Sequence, residues 1–187
     1  MLNYNSPVNN QIKYNEISVK EVSPIMKLNL RGKKREFFTT VGKNLDMILP
    51  TEANTSSSSS KLTSIWLSPD EWMVVSNDLI ENDTNNYKLE ENLYNSISKT
   101  NLGAVVDVTD QFVMLELEGL KIYELFSSGS PFNFSKFKEK KGSTTQTLLN
   151  NIDVIIHNKG ENLVNLFVRR SFSEHLFSWI NDSASRL

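Results

Sequence analysis

The chain has 187 residues, 39% of them hydrophobic, with 20 basic against 22 acidic side chains and no cysteine. That length suits one domain of ordinary size or two small lobes sharing a core. A net charge of −2 gives no overall basic field toward DNA or membrane, and the lack of thiols excludes a disulfide scaffold, a thiolate nucleophile and thiolate zinc sites while fitting a reducing compartment.

The opening "MLNYNSPVNNQIKYNEISVK" has no apolar signal-peptide core, and no run approaches the ~18 apolar residues of a membrane span. A cytoplasmic protein with neither membrane nor nucleic-acid partners is expected. Residues 1–23 form a polar, Asn-rich arm with apolar positions at Ile12, Ile17, Val19 and Val22. Ile17, Ser18 and Val19 alternate as in a strand, but the arm buries little by itself and is expected to be loose or held by a partner. A strand "IMKLNL" follows at 25–30. Phe37, Phe38, Val41, Leu45 and Ile48 then recur at helical spacing, and Pro50 closes that helix. "TEANTSSSSSKL", with five consecutive serines, reads as a mobile low-complexity loop.

"SIWLSPDEWMVVS" (64–76) places Trp66 and Trp72 around Asp70 and Glu71. Two carboxylates between aromatics suit a general acid and base only in a low-dielectric cleft that separates their environments. The favoured reading is a β-hairpin, with Pro69 and Asp70 at the turn and one tryptophan on each strand. Both carboxylates then face water, with no reason for a shifted pKa. After the loop "NDLIENDTNN", Leu89, Leu93 and Ile97 mark a helix ended by Gly103, and "AVVDVTD" is a strand. Strand, helix, strand, strand, helix, strand is the split βαβ order of ferredoxin-like domains.

A second unit starts with the alternating strand "QFVMLELEG", in which Phe112, Met114 and Glu116 oppose Val113, Leu115 and Leu117. A short helix "LKIYELFSSGSP", a long loop from Phe132, a hairpin of "IDVIIHN" and "NLVNLFVRR" turning at Lys159 and Gly160, and a closing helix complete it. Ser171 with Glu174 forms a capping box, and Phe172, Leu176, Trp179 and Ile180 form the inner stripe. The expected class is α+β: an arm (1–23), a first lobe (24–102) and a second lobe (103–187), the lobes making one compact unit.

The chemical inventory is thin. His157 and His175 lack metal-ligand spacing, and both read as structural. No Gly-x-Ser-x-Gly elbow presents a serine. "GSTTQT" after "KEKK" is not a phosphate loop, because the lysine precedes the glycine. "GKKRE" and "KFKEKK" read as solvated basic faces, and the interleaved Phe134 and Phe137 are the only support for nucleic-acid binding. Arg169 and Arg170, beside a helix start, hold either a carboxylate or phosphate, or a neighbouring subunit's acidic side chains. Interface candidates are the arm's apolar positions and the aromatic anchors Trp66 and Trp72. The residues describe a binding or scaffolding subunit better than a self-contained enzyme.

The ordered runs "WLSPDEWMVV", "VVDVTDQFVMLELEG", "TTQTLLNNIDVII" and "NLFVRRSFSEHLFSWI" resemble the gamma subunit of heterotetrameric sarcosine oxidase over residues 25–184. The resemblance implies an aminomethyltransferase-like, folate-binding fold for the second lobe. It implies a non-catalytic structural subunit, principally against alpha, in a complex with alpha, beta and delta subunits that oxidatively demethylates sarcosine to glycine. FAD, FMN, NAD, zinc and tetrahydrofolate would then belong to the partner subunits, with no cofactor, metal or catalytic residue on this chain. The alternative is an independent folate-binding or one-carbon transfer protein. Asn150 and Asn151 stand near a glycine pair of the aminomethyltransferase relatives, leaving Asp153 as the folate candidate through an acceptor bond to the pterin ring.

Overall fold

The computed structural model describes residues 4–8, 11–22, 24–78 and 85–187. In chain order its strands and helices are β1 (Ile12–Tyr14), β2 (Ile17–Glu21), β3 (Lys27–Arg31), α1 (Arg35–Leu45), β4 (Ser56–Ser58), β5 (Leu62–Ser68), β6 (Glu71–Ser76), α2 (Asn85–Leu93), β7 (Ala104–Asp107), β8 (Phe112–Glu118), α3 (Ile122–Gly129), α4 (Ser135–Glu139), β9 (Thr144–Leu149), β10 (Ile152–Gly160), β11 (Leu163–Arg169) and α5 (Arg170–Ala184). They form two units, Pro24–Asp110 and the pair Met1–Ser23 with Gln111–Leu187.

The unit Pro24–Asp110 is an antiparallel sheet in the order β4-β5-β6-β3-β7. Without β4, this is the ferredoxin-like arrangement expected from the βαββαβ order. Alternation in β3 sends Leu28 and Leu30 into the core, where Phe37, Val41 and Leu45 of α1, Leu93 at the end of α2 and Ile97 just after it meet them. The α1 helix stops at Asp46, whose φ of 51° is left-handed, so Pro50 is not the terminator and Ile48 is 85% exposed. α2 continues into a π-helical turn, Tyr94–Ser98, and Asn101 (φ 55°), not Gly103, takes the left-handed position after it. The serine run is not simply loop: β4 pairs with β5 at the sheet edge. Residues 79–84 of the expected loop at 77–86 lie outside the described residues.

The other unit is a six-stranded antiparallel sheet, β1-β2-β8-β11-β10-β9, with α3, α4 and α5 supplying side chains to the core on one face. The arm is therefore not loose. Val8, Ile12, Ile17 and Val19 are buried in this core, and β2 pairs with β8, which would otherwise be an open edge. Gly119 makes this possible at φ 141°, because a Cβ there would lie 2.0 Å from the carbonyl oxygen of Glu16 in the β1–β2 turn. The division between units falls after Asp110 and not at 102/103, because β7 pairs with β3.

Val113, Leu115 and Leu117 face the helices as the alternation requires. The stretch expected as a long loop contains α4, held by rings of Phe126, Phe132, Phe134 and Phe137 at centroid separations of 4.9 to 6.0 Å. β9 and β10 turn through Asn150 and Asn151, with φ of 49° and 62°, a two-residue hairpin of the type asparagine and glycine favour. The next turn uses Asn162 (φ 56°), beyond the bulge between Asn158 and Gly160, so it lies later than the expected Lys159–Gly160. β11 runs into α5 without a loop. Arg169 is the cap residue and no side chain caps the helix, so the Ser171–Glu174 capping box does not form. Ser173, Leu176, Phe177, Ile180 and Ala184 make the inner stripe of α5, and Phe172 is 48% exposed.

Candidate interaction surface

The hairpin tip forms as read, with Trp66 directly opposite Trp72 and Ser68 opposite Glu71. Trp72 is 1% exposed. Its indole N–H donates to the Pro50 carbonyl at 2.8 Å, and its ring meets Phe38 edge-on at 5.3 Å. This expected interface anchor is a core residue with no surface to offer a partner. Trp66 is half-buried against the same core. Asp70 is more engaged than a water-facing tip residue. The Ser68 hydroxyl donates to it at 2.9 Å and Lys33 approaches to 3.4 Å. These bonds, the Ser68 hydroxyl first, hold its carboxyl below the usual range, the opposite of what a general acid needs. Glu71 accepts from the Asn29 amide at 2.7 Å and lies 3.6 Å from Arg31. Both carboxylates are therefore bound to side chains of their own unit.

In the other unit, Asp153 is exposed on β10 opposite Leu148. Arg169 is exposed one position beyond the Val154–Val168 pair, opposite Phe112, with its guanidinium 6.0 Å from that ring. The register thus aligns Leu148, Asp153, Arg169 and Phe112 across four strands. Arg170 diverges from its neighbour: its guanidinium stacks over Tyr4 at 5.1 Å and donates to the Asn5 carbonyl. The two arginines do not converge on one ligand, and Arg170 ties down the arm. Of the arm's apolar positions, Ile12, Ile17 and Val19 are buried in the core of the unit, and Val22 is half-buried.

A second row crosses the same sheet through Lys20, Glu116, Asn165, His157 and Thr144. Burial alone would push the Glu116 carboxyl up, but Lys20 at 2.9 Å and Lys159 at 3.4 Å bring it below its ordinary value. His157 is 5% exposed in mid-strand. Burial, reinforced by the Lys159 charge, pushes its imidazole down to about 4, so it is neutral at pH 7. His175 is exposed on the outer face of α5. Among the described residues no group of three or more His, Asp or Glu side chains could hold a metal ion.

The residue that sequence reasoning missed is Asn158. It is fully buried, and its amide donates to the carbonyls of Phe137 at 2.8 Å, Lys138 at 3.3 Å and Lys140 at 3.2 Å. The available signal was a polar side chain inside the apolar run "VIIHN", since a buried amide requires partners. Phe134 and Phe137 are 3% and 5% exposed and point into the core. The basic segment therefore presents no aromatic face on which bases could stack, and the nucleic-acid reading loses its support.

Two antiparallel sheets, the five-stranded one inserted in the chain between β2 and β8 of the six-stranded one, define the class as α+β, and a solved aminomethyltransferase shares the fold. The glycine cleavage system aminomethyltransferase T from Bartonella henselae is similar at a TM-score of 0.63 and 14% identity, over 88% of this chain and 45% of that one. The model of the sarcosine oxidase gamma subunit family matches residues 32–186, and the chain belongs to that family. A chain of heterotetrameric sarcosine oxidase from Corynebacterium sp. U-96, solved in complex with pyrrole 2-carboxylate, is similar at a TM-score of 0.81 and 22% identity, over 94% of this chain and 88% of that chain. No curated protein matches significantly.

Proposed function

We propose that this chain is a non-catalytic structural gamma subunit of a heterotetrameric sarcosine oxidase that oxidatively demethylates sarcosine to glycine. The observation that carries this reading is the family match over residues 32–186. The carboxylates that drew attention in the sequence, Asp70 and Glu71, are bound to Ser68, Lys33, Asn29 and Arg31, which supports a structural role for them. On this reading alpha, beta and delta subunits are the partners, alpha principally, and they carry FAD, FMN, NAD, zinc and tetrahydrofolate. The half-buried Trp66 and the exposed Arg169 are the remaining contact candidates from the sequence. No helix among the described residues is long and apolar enough to cross a membrane, and we assign the complex to the cytoplasm.

The test is a tagged pull-down from cells co-expressing the large sarcosine oxidase chains, followed by a visible absorption spectrum. Stoichiometric capture of larger chains in a flavin-yellow eluate is expected. Elution as a colourless single chain would overturn the reading. In that case saturable binding of tetrahydrofolate to the lone protein, abolished in Asp153→Asn, would establish the folate-binding alternative.

A further inference from the structure

We infer that the buried polar row Asn165–His157–Thr144 of the six-stranded sheet is a bound-water site, centred on the Asn165 carboxamide. His157 of β10 stands directly opposite Asn165 of β11 on one side and Thr144 of β9 on the other, and Asn165 stands directly opposite Glu116 of β8. Direct cross-strand neighbours share a face, with Cβ atoms about 4.5–5.5 Å apart. Alternation turns this row away from Val154, Ile156, Val164 and Leu166, which belong to the core under the helices. The next row on the same face is apolar: Met114, Phe167 and Ile155 are paired in register and buried.

Two atoms set the polar row apart. Asn165 Oδ1 and Thr144 Oγ1 are closed to bulk solvent and, among the described residues, have no hydrogen-bond partner. Their side chains are 8% and 3% exposed. The hydroxyls of Ser64 and Tyr123 share that condition but not the setting. Tyr123 lies among the rings of Phe126, Phe134 and Phe137. Ser64 stands opposite Val74 and opposite Ser57, whose hydroxyl is already given to the Ile48 carbonyl. In the row, the two atoms flank a third buried polar side chain, His157. A buried oxygen with no donor bears its full desolvation penalty. A water removes that penalty where it finds two to four polar partners. Beside Asn165 Oδ1 it has the Glu116 carboxylate and the His157 imidazole. Burial keeps that imidazole neutral, so the ring carries one N–H and one bare nitrogen. Beside Thr144 Oγ1 a second water has the hydroxyl and the same ring. Glu116 is the outer end of the row, paired there with Lys20 and Lys159. The apolar row limits the ligand to water, because successive rows on one face lie only about 7 Å apart.

The test uses the full-length chain. A high-resolution crystal structure should show a water about 2.5–3.2 Å from Asn165 Oδ1 and from a side-chain atom of Glu116 or His157. Asn165 Oδ1 bonded directly to another side chain, with no water on it, overturns the inference. Asn165→Leu supplies the energetic arm. Replacing a merely unsatisfied oxygen by apolar atoms of similar size is neutral or stabilising. Evicting a water that Glu116 and His157 also use should instead lower the melting temperature by roughly 5 °C. A variant that melts at or above wild type overturns the inference. Should Asn165→Leu fail to fold, Thr144→Val takes its place in the same comparison, with a smaller drop expected and the same overturning result.

Discussion

Asn158 shows how one side chain can hold a surface in place. Its amide meets the carbonyls of Phe137, Lys138 and Lys140 from a fully buried site. Asn158→Ala removes those donors from inside a buried site, so a loss of about 2 to 4 kcal/mol is expected in urea denaturation. Asn92→Ala, on the exposed side of α2, should change stability by less than about 0.5 kcal/mol. Equal effects of the two would refute the clasp. Trp72 makes a parallel case. Trp72→Phe removes the only indole bond to the Pro50 carbonyl and part of a three-ring contact with Phe37 and Phe38. It should cost about 2 kcal/mol of stability and leave capture of the larger chains unchanged. Weakened capture at unchanged stability would return Trp72 to the interface.

At the scale of elements, the β1–β2 hairpin is the sharpest departure from expectation. Deleting residues 1–22 removes Val8, Ile12, Ile17 and Val19 from the core and bares the edge of β8. Four buried side chains at about 1.5 kcal/mol or more apiece approach the whole stability of a small domain. The truncated chain should aggregate or lose cooperative unfolding, and a truncation that melts like full length would refute the pairing. Much of the fold was legible locally. The Trp66–Trp72 hairpin, the Phe37–Val41–Leu45 stripe and the Leu89–Leu93–Ile97 stripe are periodic patterns confined to one segment. The β2–β8 pairing joins segments far apart in sequence, and no local pattern encodes it. The capping box at Ser171 failed for a related reason: β11 continues directly into α5, and the Arg170 N–H is taken by the Gln111 carbonyl at 2.9 Å. The basic run was legible as charge. Its rigidity was not, because the clasping asparagine sits two elements downstream.

Across the whole molecule, the shifted groups set a pH profile with a definite shape. His157 is the first to act on the acid side. Its folded value of about 4 lies below its ordinary 6.5, so as pH falls through 6.5 the unfolded chain takes up a proton that the folded chain refuses. Stability therefore declines from pH 6.5 to about 4 and levels off below, by about 3 kcal/mol in all. Asp70 and Glu116 are depressed, so their contributions are intact above the ordinary carboxylate range and vanish only as pH falls through their lower folded values. Glu90, raised by burial and by Asp107, opposes them slightly. On the alkaline side Tyr123, raised to about 12 by burial, disfavours folding once the unfolded phenol ionises near 10. Lys20, raised by its bond to Glu116, keeps that bond until pH passes its folded value. The expected profile is a plateau from about pH 7 to 9, with an acid limb that begins before any carboxylate titrates. Melting temperature should fall by about 5 to 10 °C between pH 6.5 and 4. His157→Gln should flatten that limb while preserving the steeper loss below pH 4. An acid limb identical in wild type and His157→Gln would show that the imidazole is not the group that refuses the proton.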